Sequence, residues 1–132
     1  MIRLLRFASF VSIIFSGGGG GLANSEIIYS VVSGSAHLPC NVTPPQGSND
    51  EPRLILWYKD SNPQPVYSFD ARYMNPKHWS QDPNFGSRSF FRHKTDPAQL
   101  IISSVTMNDA GTYKCRVDFK LSQTVTHVIQ LK

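Results

Sequence analysis

The side chains of this 132-residue chain that could do chemistry are few: two cysteines, four histidines and one Asn-Val-Thr tripeptide. Cys40 and Cys115 stand about 75 residues apart, and in an exported chain such an even, distant pair reads as one structural disulfide, not as a reactive thiol. Closing that loop restricts the unfolded chain by about 4 kcal/mol in the loop-entropy model, a large share of a small domain's stability. His37, His78, His93 and His127 are dispersed without metal-ligand spacing. They are expected to be solvated or strand-surface side chains, with no metal bound. There is no Gly-x-Ser-x-Gly elbow, no His-Glu-x-x-His pair and no glycine-rich phosphate loop, so neither an enzyme nor a cofactor is expected. Asn41-Val42-Thr43 is the single N-glycosylation sequon, which makes Asn41 the candidate acceptor, although Pro44 directly after it lowers occupancy.

The N-terminus is the reason to expect export. Met1, Arg3 and Arg6 form a positive region, 7–15 is mostly apolar, and small residues run from Ser16 to Gly21. That is the layout of a secretory signal peptide. Cleavage after Ala23 puts Gly21 and Ala23 at the two inspected positions and divides the chain into a leader, 1–23, and a domain, 24–132. As a membrane helix the apolar run is too short, and Ser9 and Ser12 break it. Without Arg3 and Arg6, eleven Lys and Arg face nine Asp and Glu, a charge near +2 where the whole chain has +4. The charges are scattered with no block of like sign, so no nucleic-acid partner is expected. Beyond residue 24 there is neither a membrane-spanning run nor a lipid-anchor motif. The domain is expected outside the cell, released, or displayed at the cell surface if the chain is a fragment of a longer protein.

The elements that must position these residues are short. β-branched and aromatic runs alternate with Gly, Pro, Asn and Asp clusters, and no long helical periodicity occurs. Strands are expected at 26–32, 36–42, 54–59, 64–70, 87–93, 99–103, 111–118 and 124–131, with a further short one inside 71–86. A long loop over 43–51 and a tight one over 119–123 carry the turn residues.

Three spacings turn this list into a fold. Cys40, Trp57 and Cys115 follow the order of an immunoglobulin core, in which an indole packs on the disulfide between two sheets. Tyr113 lies two residues before the second cysteine, where such domains bond a tyrosine hydroxyl back to the backbone. The run Asp109-Ala110-Gly111-Thr112-Tyr113-Lys114-Cys115 resembles the variable-type signature Asp-x-Gly-x-Tyr-x-Cys, whose aspartate pairs with an arginine at the start of the strand expected here over 87–93. Arg88 is the candidate partner of Asp109. The expectation is an all-β immunoglobulin V-type sandwich of two antiparallel sheets with one inter-sheet disulfide.

A narrower resemblance covers roughly residues 26 to 132. Leu38-Pro39-Cys40-Asn41-Val42-Thr43-Pro44-Pro45, Leu56-Trp57-Tyr58-Lys59-Asp60, 65–72, Lys77-His78-Trp79-Ser80 and 113–119 are similar to the first immunoglobulin domain of the Sidestep family of arthropod neuronal cell-surface proteins. The resemblance implies an extracellular recognition module whose partner is another immunoglobulin-superfamily protein, Beaten-path-like, in axon guidance or synaptic partner choice. Family members carry several such domains and a membrane span; this chain holds one domain.

Strand alternation names the surface. With Trp57 and Ile55 inward, Leu54, Leu56 and Tyr58 face out; with Tyr113, Cys115 and Val117 inward, Lys114, Arg116 and Asp118 face out on a neighbouring strand. An apolar centre rimmed by charge is interface anatomy. Trp79 and Tyr73 are additional candidate anchors, with packing over the sheet edge as the alternative. Neither a small-molecule substrate nor a metal enters this reading; weak self-association does. Two other readings stay open: a soluble immune-type receptor domain that binds ligand with its end loops, and a spacer that binds nothing.

Overall fold

Short alternating runs cannot bury an apolar face alone, and here they bury it between two sheets. The computed structural model describes residues 25–45 and 49–132; the leader expected over 1–23 lies outside them. Among the described residues the strands are β1 (Ser25–Ile28), β2 (Ala36–Cys40), β3 (Pro52–Lys59), β4 (Tyr67–Asp70), β5 (Lys77–Trp79), β6 (Ser89–Arg92), β7 (Ala98–Ile102), β8 (Gly111–Phe119) and β9 (Val125–Leu131). A short helix, α1 (Pro83–Arg88), precedes β6, and a 3-10 turn, Met107–Asp109, precedes β8. The large sheet runs β1-β9-β8-β3-β4-β5 and the small one β2-β7-β6. Every ladder is antiparallel except that of β1, which lies parallel to β9. The expected all-β sandwich is present, and Cys40 of β2 is bonded to Cys115 of β8 across the two sheets.

Alternation along each strand fills the space between them. Leu38, Phe91, Leu100 and Ile102 come from the small sheet; Ile55, Trp57, Phe69, Tyr113, Val117 and Ile129 come from the large one, all buried. Trp57 is the cross-strand neighbour of Cys115 and meets Phe91 edge-on at 6.2 Å. Its Nε1 makes no hydrogen bond among the described residues, so packing alone holds the indole.

The entry into β8 explains its own sequence. Tyr113 Oη donates to the Asp109 carbonyl at 2.5 Å, which ties the strand to the preceding turn. Gly111 has φ +150°, and a Cβ there would lie 2.6 Å from Asp60 Oδ1. That carboxylate accepts the Thr112 amide at 2.9 Å, so only glycine lets the two segments close. Asp109 accepts Arg88 Nη1 at 2.8 Å and Nη2 at 3.0 Å, and the Thr106 amide at 2.8 Å. Arg88 Nη1 also reaches the Ser103 and Ser104 carbonyls. With Asp109 5% exposed, this is a shielded, two-pronged pair, not a weak surface contact.

Several boundaries move. The strand expected over 87–93 is β6 alone, because Asp82 accepts the Asn84 amide and Pro83 opens α1. Arg88 therefore ends a helix and does not begin a strand. The first strand leaves its ladder at Ile28, four residues before the expected end. Burial alone would raise the Asp109 pKa, but the Arg88 and Thr106 donors outweigh it and hold the carboxyl below its ordinary value. Stability from this pair is therefore full above about pH 4, the ordinary aspartate value, and is lost as pH falls through the lower folded value. Arg88→Met leaves a buried, unpaired carboxylate and should cost about 3 kcal/mol in urea unfolding at neutral pH. The gap to the wild type should narrow as pH falls below about 4, toward the lowered value at which Asp109 of the wild type takes up its proton, the variant's unpaired carboxyl having done so at higher pH.

Candidate functional site

The core fixes the phase of the outer face. Because Ile55, Trp57, Tyr113, Cys115 and Val117 point inward, their neighbours point away from the small sheet. The ladders then set these neighbours in rows. Thr126, Arg116, Leu56, Ser68 and Trp79 face one another in sequence across β9, β8, β3, β4 and β5. On one side lies the row Asp118, Leu54, Asp70 and Lys77; on the other, Val128, Lys114 and Tyr58.

Leu54, Leu56 and Tyr58 are half-buried, Lys114 and Arg116 are exposed, and Asp118 is half-buried. Trp79 is 57% exposed, which makes it the largest apolar side chain open on this face. The charges around this strip are mostly spent on each other. Arg116 Nε donates to Asp118 Oδ1 at 2.9 Å, and Thr124 reaches the same oxygen. Arg72 grips Asp70 with Nε at 2.9 Å and Nη2 at 2.7 Å. The Arg72 bonds are the main reason the Asp70 carboxyl is lowered to about 2. Lys114 has no ion pair among the described residues, and Lys77 sits 4.3 Å over the Tyr73 ring. The face is a strip of paired strands with an apolar centre, paired charge at its margin and two lysines, Lys114 and Lys77, that make no ion pair among the described residues. At about 4.8 Å per strand it is about 24 Å wide, and β3 is about 27 Å long. That is the scale of a standard protein interface, which covers about 800 Å² per partner.

Trp79, which alternation along one strand cannot place, enters the face through the pairing of β5 with β4. A second feature lay hidden in the 43–51 loop. Asp50 Oδ1 accepts the Leu121 amide at 2.8 Å and Oδ2 the Ser122 amide at 2.8 Å, while the Glu51 carbonyl accepts the Lys120 amide. Desolvation pushes the Asp50 carboxyl up, yet the donors from Ser122, Leu121 and Glu51 together lower it to about 2. The two end loops are thus clamped to each other, with Leu121 72% exposed at the tip. Asn41 is exposed, and its side chain accepts the Thr43 amide at 3.0 Å. His37 lies against Gln99, and His127 against the Asn41 carbonyl. His78 and His93 both pack on Phe69. Among the described residues no cluster of three His, Cys, Asp or Glu could hold a metal, and no helix is long and apolar enough to cross a membrane.

Comparison with known proteins agrees with this architecture. No curated protein matches the sequence. Among solved structures, the first Ig-like domain of human CD48 antigen superposes with a TM-score of 0.66 at 20% identity, covering 86% of this chain and 84% of that one. Murine CRIg gives 0.64 at 19%, covering 81% and 91%. Dpr11 IG1, in its complex with DIP-gamma, gives 0.55 at 22%, covering 80% and 95%. At these identities the likeness is one of fold. The family described as Immunoglobulin V-set domain matches residues 25–132, and with the disulfide, the buried indole and the tyrosine–aspartate turn in place, the chain belongs to the immunoglobulin V-set family.

Proposed function

We propose that this domain is an extracellular cell-recognition module that binds another immunoglobulin-superfamily protein, Beaten-path-like, through the outer face of its large sheet, in axon guidance or synaptic partner choice. The observation that carries the reading is the row Arg116, Leu56, Ser68 and Trp79, flanked by Leu54 and Tyr58. It offers aromatic and aliphatic anchors on rigid strands, which lose little entropy on binding. Arg116 and Asp118 form the rim, and Lys114 adds an unspent positive charge for steering. The Sidestep-like residues supply the partner class and the setting. The similar Dpr11 domain, bound to DIP-gamma, supports an immunoglobulin partner. One domain engaging one sheet face gives an affinity on the order of micromolar. Avidity at a membrane then does the rest. The same face also serves for weak self-association. A glycan on Asn41 suits the exported chain.

A second reading rests on the Asp50 clamp. End loops that are held in one conformation and display Leu121 are prepared for a ligand, as in a soluble immune-type receptor domain.

Two measurements separate these readings. Against a panel of Beaten-path ectodomains, Leu56→Arg should weaken binding by about 2 kcal/mol or more, roughly 30-fold, while Leu121→Asp leaves it unchanged. The reverse pattern transfers the function to the loops. Asp50→Ala should speed hydrogen exchange of the Leu121 and Ser122 amides by about tenfold, with the β8–β9 ladder unaffected. In the wild type that protection is full above about pH 4 and is lost as pH falls toward about 2, where Asp50 is protonated.

A further inference from the structure

The edge of the sandwich where β5 of the large sheet meets β6 of the small one is closed by a ring cluster. His78 of β5 lies edge-on to Phe69 of β4 at 4.9 Å and stacks on Phe90 of β6 at 4.7 Å. His93, just beyond β6, packs on Phe69 at 4.8 Å. One hydrogen-bond chain crosses this edge. The Phe91 amide donates to Tyr67 Oη at 3.1 Å, and Tyr67 Oη stands 2.6 Å from His78 Nδ1. Tyr67 is buried, and burial raises its pKa above the ordinary value, so the phenol keeps its hydrogen. With one side of the oxygen taken by Phe91, that hydrogen goes to His78, whose Nδ1 must then carry a lone pair. The bonded state of His78 is the neutral imidazole protonated at Nε2.

We propose that the Phe91 amide, Tyr67 and His78 form a proton-controlled latch that holds β5, and with it Trp79, on the large sheet near neutral pH and releases it in weak acid. β5 is three residues long and is an edge strand. Apart from its ladder with β4 and the His78 ring contacts, it is anchored by this chain and by Ser80 Oγ, which bonds the Val66 carbonyl at 2.7 Å. A proton on Nδ1 turns the acceptor into a donor. Tyr67 Oη then faces two donors, and its own hydrogen is stranded in the core. The groups that face His78 are Tyr67 and Phe69 from β4, Phe90 from β6 and His93 beyond it. Lys77 turns to the other face, over Tyr73, and no carboxylate bonds His78 among the described residues. A cation stacked on Phe90 gains cation–π attraction, but at an exposed ring this is weaker than a buried hydroxyl left unbonded. Burial, and then the charge of His93, set His78 below its ordinary 6.5; burial, and then Lys94, do the same for His93. The native state therefore binds fewer protons than the unfolded one, and the stability from these groups is full above about pH 6.5 and falls as pH drops through it. That release would regulate recognition rests on the reading of the face given above; the latch itself does not.

Nuclear magnetic resonance on the full chain tests it from about pH 7.5 to about pH 5. The Phe91 amide, corrected for its intrinsic exchange rate, should lose about tenfold in protection, and the Trp79 indole signal should titrate together with His78. The β8–β9 ladder should hold. His78→Asn keeps an acceptor near the Nδ1 position but cannot titrate there, so its Phe91 protection should stay flat with pH. Tyr67→Phe should leave Phe91 unprotected throughout. Constant Phe91 protection in the wild type, or an unaltered pH dependence in His78→Asn, overturns the latch. If the latch opens in acid while capture of the Beaten-path panel is unchanged, the latch stands and the part given to Trp79 in recognition falls.

Discussion

The bond between Cys40 and Cys115 sets the phase of the whole molecule. A strand has a period of two, so fixing one side chain inward fixes every other. With Cys115 inward, Lys114 and Arg116 have no choice but to face out. Trp57, opposite Cys115 in the ladder, transmits the same constraint to β3 and turns Leu56 and Tyr58 outward. The outer face of the large sheet is the complement of the core: a slip of one residue in β3 would bury Leu56 and expose the indole.

This is why so much was legible in the sequence. Cys40, Trp57, Tyr113 and Asp109 announce themselves by type and spacing, and the inward and outward residues of β3 and β8 follow from one known member of each strand. What the sequence concealed is non-local. Trp79 joins the row of Leu56 only through the pairing of β4 with β5, whose register depends on the 71–76 turn. Asp50 bonds amides 71 and 72 positions away. His78 and His93 meet because two different sheets converge at one edge. The helix α1 is a different kind of miss: the Asp82-Pro83 start signal stands in the sequence, but six residues are too few for a helical period to show against a strand-rich background.

Charge is used sparingly, and in two manners. Arg88 and Asp109 are shielded, joined by two bonds, and surrounded by carbonyls and an amide that complete their hydrogen bonding, so they act as a fastening. Arg116 with Asp118, and Arg72 with Asp70, lie at the surface, where such pairs add little to stability. Their effect is to flatten the potential of the margin while leaving Lys114 and Lys77 to give it a sign. A family-level fold shared at about one residue in five with CD48 or CRIg says nothing about such margins. On the proposed reading, selectivity within a common sandwich is written there and in the apolar strip.

The parallel pairing of β1 with β9 has a mechanical meaning. Ser25 lies beside Val128 and Ile28 beside Leu131, and the Lys132 amide bonds the Ile28 carbonyl. Tension applied between Ser25 and Lys132 pulls the two strands in opposite directions along their length. All the bonds of that ladder are loaded at once, in shear, and cannot be peeled one by one. Were the ladder to part, the crosslink would keep the segment between Cys40 and Cys115 closed, and only the chain outside that loop could lengthen. A seam of this kind resists as a block and then yields a short, bounded extension.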